Sequence, residues 1–136
     1  MAAVAIAGLA LLAGPAFSKT AAPPALYTSA QASAGAKLYA AQCAQCHGAN
    51  LEGGVGPALT GPNLVRLATK TKLTVGDFFQ FMSLQMPLNA PGSLPKDQYV
   101  QILAYILKYN GYPAGSKPLT YAAASNSKTI ITTYRK

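Results

Sequence analysis

Five consecutive residues, Cys43-Ala44-Gln45-Cys46-His47, constrain this chain more than any other feature. They hold both of its cysteines and its only histidine. Two thiols three apart, with an imidazole directly after, form the attachment pattern of a c-type haem. The spacing has a mechanical reason. On one helical turn both sulfurs point the same way, so each can form a thioether to one edge of a porphyrin, and the next residue brings its imidazole under the iron. Rival readings fit less well. A structural zinc site takes four ligands, usually from two separated clusters; here there is no second cluster, and the only acids are Glu52, Asp77 and Asp97. A thioredoxin-like pair sits after a strand, in an α/β pattern, and no such pattern surrounds this motif. A plain Cys43–Cys46 disulfide leaves His47 without a role. The motif therefore implies one haem c, covalent through Cys43 and Cys46, with His47 as a metal ligand.

A chain of 136 residues supports one small domain. Half of it is apolar, but much of that is alanine and an N-terminal run, so the core is modest. A porphyrin would supply a large share of the buried apolar area, and the apoprotein is expected to fold poorly. Eleven Lys and Arg face three acids, for a net charge of +8. Such a surface suits an acidic partner, or anionic groups such as haem propionates. The cations are dispersed and form no Lys/Arg block, which argues against nucleic-acid binding.

Residues 1–17 are almost wholly apolar, and Ala16-Phe17-Ser18 offers a small-x-small cleavage site. Residues 1–18 read as a secretory signal, or alternatively as an apolar anchor in contact with a membrane. Either implies export, to the periplasm. Residues 19–28, with Pro23-Pro24, read as a linker. Thr28 or Ser29 would cap a first helix over about 30–43, with Gly35, Tyr39 and Cys43 on one face. A glycine inside a helix costs about 1 kcal/mol relative to alanine, and close approach of another helix is the usual reason for one. The glycine- and proline-rich stretch 48–69 reads as loop, Pro62 as a turn former, and its backbone is suited to wrapping a flat ligand. A carbonyl near Pro57 bonded to the far nitrogen of His47 would fix its tautomer; a plain turn is the alternative. Arg66, Lys70 or Lys72 would meet a propionate, or stay solvated.

Thr74 and Asp77 form a capping arrangement for a helix over 75–85, which Met86-Pro87 ends. A last helix runs from Pro95 to about Tyr109, with Tyr99, Ile102, Leu103 and Ile106 as its apolar stripe, and Asn110-Gly111 stops it. Residues 113–136 read as an extended tail lying on the domain or on a partner. For the sixth iron position, a second histidine is excluded. Beyond the leader only Met82 and Met86 remain. Met82 lies within an amphipathic helix and suits a core role, whereas Met86 stands at a helix-to-loop junction.

In order along the chain, Gly35, Tyr39, Cys43-Ala44-Gln45-Cys46-His47-Gly48, Gly56-Pro57-Ala58-Leu59, Met86-Pro87 and Ile102-Leu103-Ala104-Tyr105 resemble the class I cytochromes c. The resemblance covers about residues 28–112, with the cytochrome domain set at 29–112. It implies an all-α fold of three to four helices around one haem, with the first and last helices crossing near Gly35, Tyr39, Ile102 and Tyr105. It also implies that Pro57 offers its carbonyl to His47 and that Met86 completes the iron. The segment 110–115 is similar to the ends of cytochrome subunits that serve quinoprotein alcohol or sugar dehydrogenases. The expected function is one-electron transfer between a dehydrogenase donor and a terminal oxidase or other cytochrome, without catalysis of its own. The alternatives are a haem subunit held in a larger dehydrogenase or oxidase, and an open-iron protein that binds a gas or peroxide.

Overall fold

The computed structural model describes residues 22–135, so the leader at 1–18 and the start of the linker lie outside the described residues. Six helices and no strands make up the described chain, as an all-α reading requires. Helix α1 spans Ser29–Gln42. Thr28 caps it: its side chain accepts from the Gln31 amide, and the Gln31 side chain accepts from the Thr28 amide. This reciprocal box satisfies donors that the first turn otherwise leaves open, and contributes about 1 kcal/mol. Helix α2 is the single turn Ala44–His47.

Helix α3, Gly61–Thr71, corrects the sequence reading, which placed these residues in a loop. Pro62 stands in its first turn, where the missing amide costs nothing and the fixed φ favours the helix. Leu64 and Ala68, four apart, are the buried face that holds it. Helix α4 spans Val75–Gln85, with the expected Thr74–Asp77 capping box. Helix α5 spans Lys96–Tyr109. Its buried set extends beyond the expected stripe to Val100, Ala104 and Leu107. A helix buried nearly all round needs cover on more than one side. Helix α1 covers one face, and the chain after residue 110 supplies another.

The α1–α5 crossing is set by backbone contact. A Cβ built on Gly35 would stand 1.8 Å from the Gln101 carbonyl oxygen and 2.4 Å from its carbon. Only glycine lets the two helices come this close. One turn along α1, the Tyr39 ring packs on Tyr105 with centroids 5.2 Å apart.

The tail lies on the domain. It is extended except for one short helix, α6, Tyr121–Ser125, capped by Thr120. Gly115 donates to the Tyr27 carbonyl at 2.7 Å, and the Tyr27 hydroxyl donates to the Tyr112 carbonyl at 2.6 Å. Gln31 clasps Leu119 at both its amide and its carbonyl. The end of the tail pairs as an isolated antiparallel bridge, Thr74 with Ile130, and buries Ile131.

Two outcomes follow from this packing. Gly35→Ala is expected to cost at least the ~1–3 kcal/mol typical of overpacking, because the obstruction is backbone that cannot turn aside; denaturant unfolding of the holoprotein measures it. Burial raises the phenol pKa of Tyr27, Tyr39 and Tyr112. Tyr112 is pushed up to about 12, against about 10 for an unfolded tyrosine. The folded state holds the Tyr112 proton more tightly, so the stabilisation it contributes is complete below pH ~10 and lost as pH rises towards 12; burial acts in the same direction on Tyr27 and Tyr39. Helical circular dichroism and tyrosinate absorbance should therefore change together in that window, and separate transitions would contradict it.

Candidate haem site

Helix α1 delivers Cys43 directly to the site. Cys43 closes α1 and opens α2, with its amide bonded to the Tyr39 carbonyl and its own carbonyl accepting from His47 at 2.9 Å. Both thiols are free and partly exposed, so the pair is not a disulfide. Burial pushes the Cys43 thiol up to about 11, with a further rise from the neighbouring Cys46. It is thus a protonated thiol at neutral pH. Gly48 ends the turn in the left-handed region, at φ +81°, and its carbonyl accepts from the Tyr39 hydroxyl at 2.8 Å. The α1–α5 crossing and the motif turn are therefore joined through one side chain.

The following loop hangs from this turn by its backbone. Gly53 donates to the His47 carbonyl and Gly56 to the Cys46 carbonyl, both at 2.8 Å. That brings the Pro57 carbonyl to 2.8 Å from His47 Nδ1. A carbonyl only accepts, so Nδ1 carries the proton and Nε2 keeps its lone pair. No buried side-chain nitrogen or oxygen among the described residues lacks a partner. Nε2, which makes no such bond, therefore reaches open space. Gly56 lies against the ring: an added Cβ would stand 2.7 Å from Cε1 and 2.9 Å from Nδ1. Sequence reading attached no such need to Gly56. Its signal was the glycine immediately before Pro57.

Met82 and Met86 separate as their positions suggested. Met82 is buried in the core, while Met86 caps the end of α4 in extended conformation, half-buried. Its peptide bond to Pro87 is cis. The Tyr99 hydroxyl donates to the Met86 carbonyl at 2.6 Å and accepts from the Leu94 amide. Tyr99 was legible only as part of a stripe; the clue to more was its hydroxyl, which a buried tyrosine must place on a partner. Met86 belongs to a separate element from the His47 cluster. Arg66 is exposed on α3 and donates to Asn63 Oδ1.

Among the described residues, five of the seven exposed large apolar side chains fall, in sequence, between the motif and the segment just past Met86: Val55, Leu67, Phe81, Leu84 and Leu88. The described polypeptide leaves these side chains uncovered. A haem fits these residues on several counts: two thiols and an imidazole on one turn, a lone pair directed outward, a glycine where the ring needs room, and apolar side chains lacking cover. One surface pocket, of about 310 Å³, is lined by Gln31, Val100, Leu119 and Tyr121 among others, and by none of the motif residues.

This fold and site define a class I mono-haem c-type cytochrome domain. A family model described as cytochrome c oxidase, cbb3-type, subunit III matches residues 30–106, more than half of the chain, and the protein belongs to that family. The match runs from α1 through most of α5 and stops before the tail. The domain implies a haem and electron transfer rather than catalysis. No curated protein and no solved structure matches the chain. Among the described residues no helix is long and apolar enough to cross a membrane.

Gly56→Ala should displace the imidazole. The expected result is a loss of about 1–3 kcal/mol of holoprotein stability, together with a shifted absorption spectrum. An unshifted spectrum with native stability would contradict the packing described.

Proposed function

We propose that the protein is an exported one-electron carrier whose haem c is bound through thioethers at Cys43 and Cys46, with His47 and Met86 as axial ligands. The observation that carries this reading is the His47 Nδ1–Pro57 carbonyl bond. It presents the opposite ring nitrogen as a metal ligand one residue after two free thiols. A haem held there supplies a one-electron Fe(II)/Fe(III) couple, and a thioether partner raises its potential.

The rest is the work of the chain. Pro57 fixes the tautomer and strengthens the imidazole as a ligand. Gly56 sets the ring's position. Tyr99 holds the Met86 backbone. A rigid enclosure of this kind keeps both oxidation states in one geometry and leaves no open position for substrate. The excess of basic residues would steer acidic partner surfaces to the domain, through small and transient contacts. In this reading residues 1–18 direct the chain to the periplasm and 29–112 form the cytochrome domain.

A second reading makes the protein a haem subunit of a larger complex. What favours it is the family's description, a subunit of an oxidase. Co-purification of the native protein with a larger assembly separates it from the free carrier.

The ligation is tested on purified holoprotein. Retention of the haem through acid–acetone extraction is the expected sign of covalent attachment, and its release would sink that part. Met86→Leu should abolish the weak far-red sulfur–iron band of the oxidised protein and lower the midpoint potential. An unaltered spectrum and midpoint would remove Met86 from the iron.

A further inference from the structure

Helix α4 ends on Met86, yet much of what holds α4 lies beyond the part of the chain that the family model matches. Its first two amides are satisfied by the tail: Val75 donates to the Thr129 carbonyl at 2.7 Å, and Gly76 to the Ser127 carbonyl at 3.1 Å. Gly76 is buried against this strand of chain, and a Cβ there would stand 2.7 Å from the carbonyl oxygens of Ser125 and Ser127. Midway along α4, Gln80 donates to the Ser125 carbonyl at 2.8 Å. The Tyr121 ring meets Phe79 edge-on, with centroids 4.9 Å apart. Near the far end, the Tyr121 hydroxyl donates to Ser83 Oγ at 3.1 Å. Ser83 lies one turn before Met86 and is buried.

We propose that residues 120–131 act as an internal strap that positions the Met86 sulfur by holding α4, with Tyr121 as the positioning residue. The inference rests on Met86 ligating the iron, as proposed above. An 11-residue helix is too short to be stable alone, so its placement comes from its contacts. The tail carbonyls on the first turn fix α4 along its axis. Tyr121, touching Phe79 and Ser83, fixes its rotation. Because a helix is stiff over three turns, both constraints reach its last residue. When α4 loosens, Met86 leaves the sixth position for a fraction of the time, and an external ligand takes that position in proportion to the fraction.

The test uses ferric holoprotein of full length, with imidazole as the competing ligand. Tyr121→Phe keeps the ring on Phe79 and removes only the Ser83 bond. Its apparent imidazole affinity should rise about three- to tenfold, the factor given by the net worth of one hydrogen bond. Gln80→Leu removes the Ser125 bond from an exposed face and should act in the same direction, so the test does not depend on one variant folding. Ile106→Val destabilises the core while leaving every hydrogen bond between the strap and α4 in place, and should leave imidazole affinity unchanged. Unchanged affinity in both strap variants would overturn the proposal, as would an equal rise in Ile106→Val. Met86→Leu, run alongside, separates the two ideas. If it raises imidazole affinity strongly and the strap variants do not, only the strap fails; if it has no effect, the ligation itself fails.

Discussion

The backbone contact between Gly35 and Gln101 sets the frame for everything else in the domain. Helix α1 runs without interruption from that crossing to Cys43, so the angle of the crossing decides where the motif turn points. Tyr39 ties the two together: its ring lies in the crossing against Tyr105, and its hydroxyl holds the Gly48 carbonyl at the end of the motif. A tyrosine buried this deeply would cost stability if its hydroxyl lacked a partner. Here the same bond that satisfies it fixes the turn carrying both thiols and the imidazole.

From that turn outward, the site is built by backbone rather than by side chains. The loop over 48–57 is hung on the Cys46 and His47 carbonyls, and its reward is one correctly placed carbonyl at Pro57. This explains why the region is rich in glycine. Gly48 takes a conformation that side chains rarely adopt, and Gly56 leaves space that the imidazole occupies. No charged group of the protein is needed to orient His47. The Pro57 carbonyl accepts from Nδ1, which leaves Nε2 as the ring nitrogen available to a metal.

Much of this could be read from the residues, and the failures have physical causes. The motif, the Thr74–Asp77 cap and the Pro95 start were legible because each is a local pattern with a mechanism; Gly35 announced a close helix approach, and the family resemblance named the last helix as the one that approaches. Helix α3 was not, because Gly61-Pro62 serves turns and first helical turns alike, and only the burial of Leu64 and Ala68 decides between them. Asn110 was legible as a helix stop but not as a staple. Buried, it accepts from the Thr60 hydroxyl, donates to the Leu59 and Ile106 carbonyls, and takes the Tyr134 amide on its own carbonyl. Those partners are up to 51 residues away in the chain, a distance at which periodicity carries no information.

The tail shows the same limit in a sharper form. Its composition marks no amphipathic helix, because α6 is a single turn in which only Ala124 is fully buried and Tyr121 partly so. Beside the Tyr121 side chain, the tail holds α4 by carbonyls, which every residue possesses and no sequence pattern advertises. Those carbonyls go to the first turn of α4, where amides have no partner within the helix. A helix that must present a sulfur at its C-terminal end needs its N-terminal end held as firmly. The matched family region supplies the helix and its capping box, and the residues that follow supply a second set of acceptors.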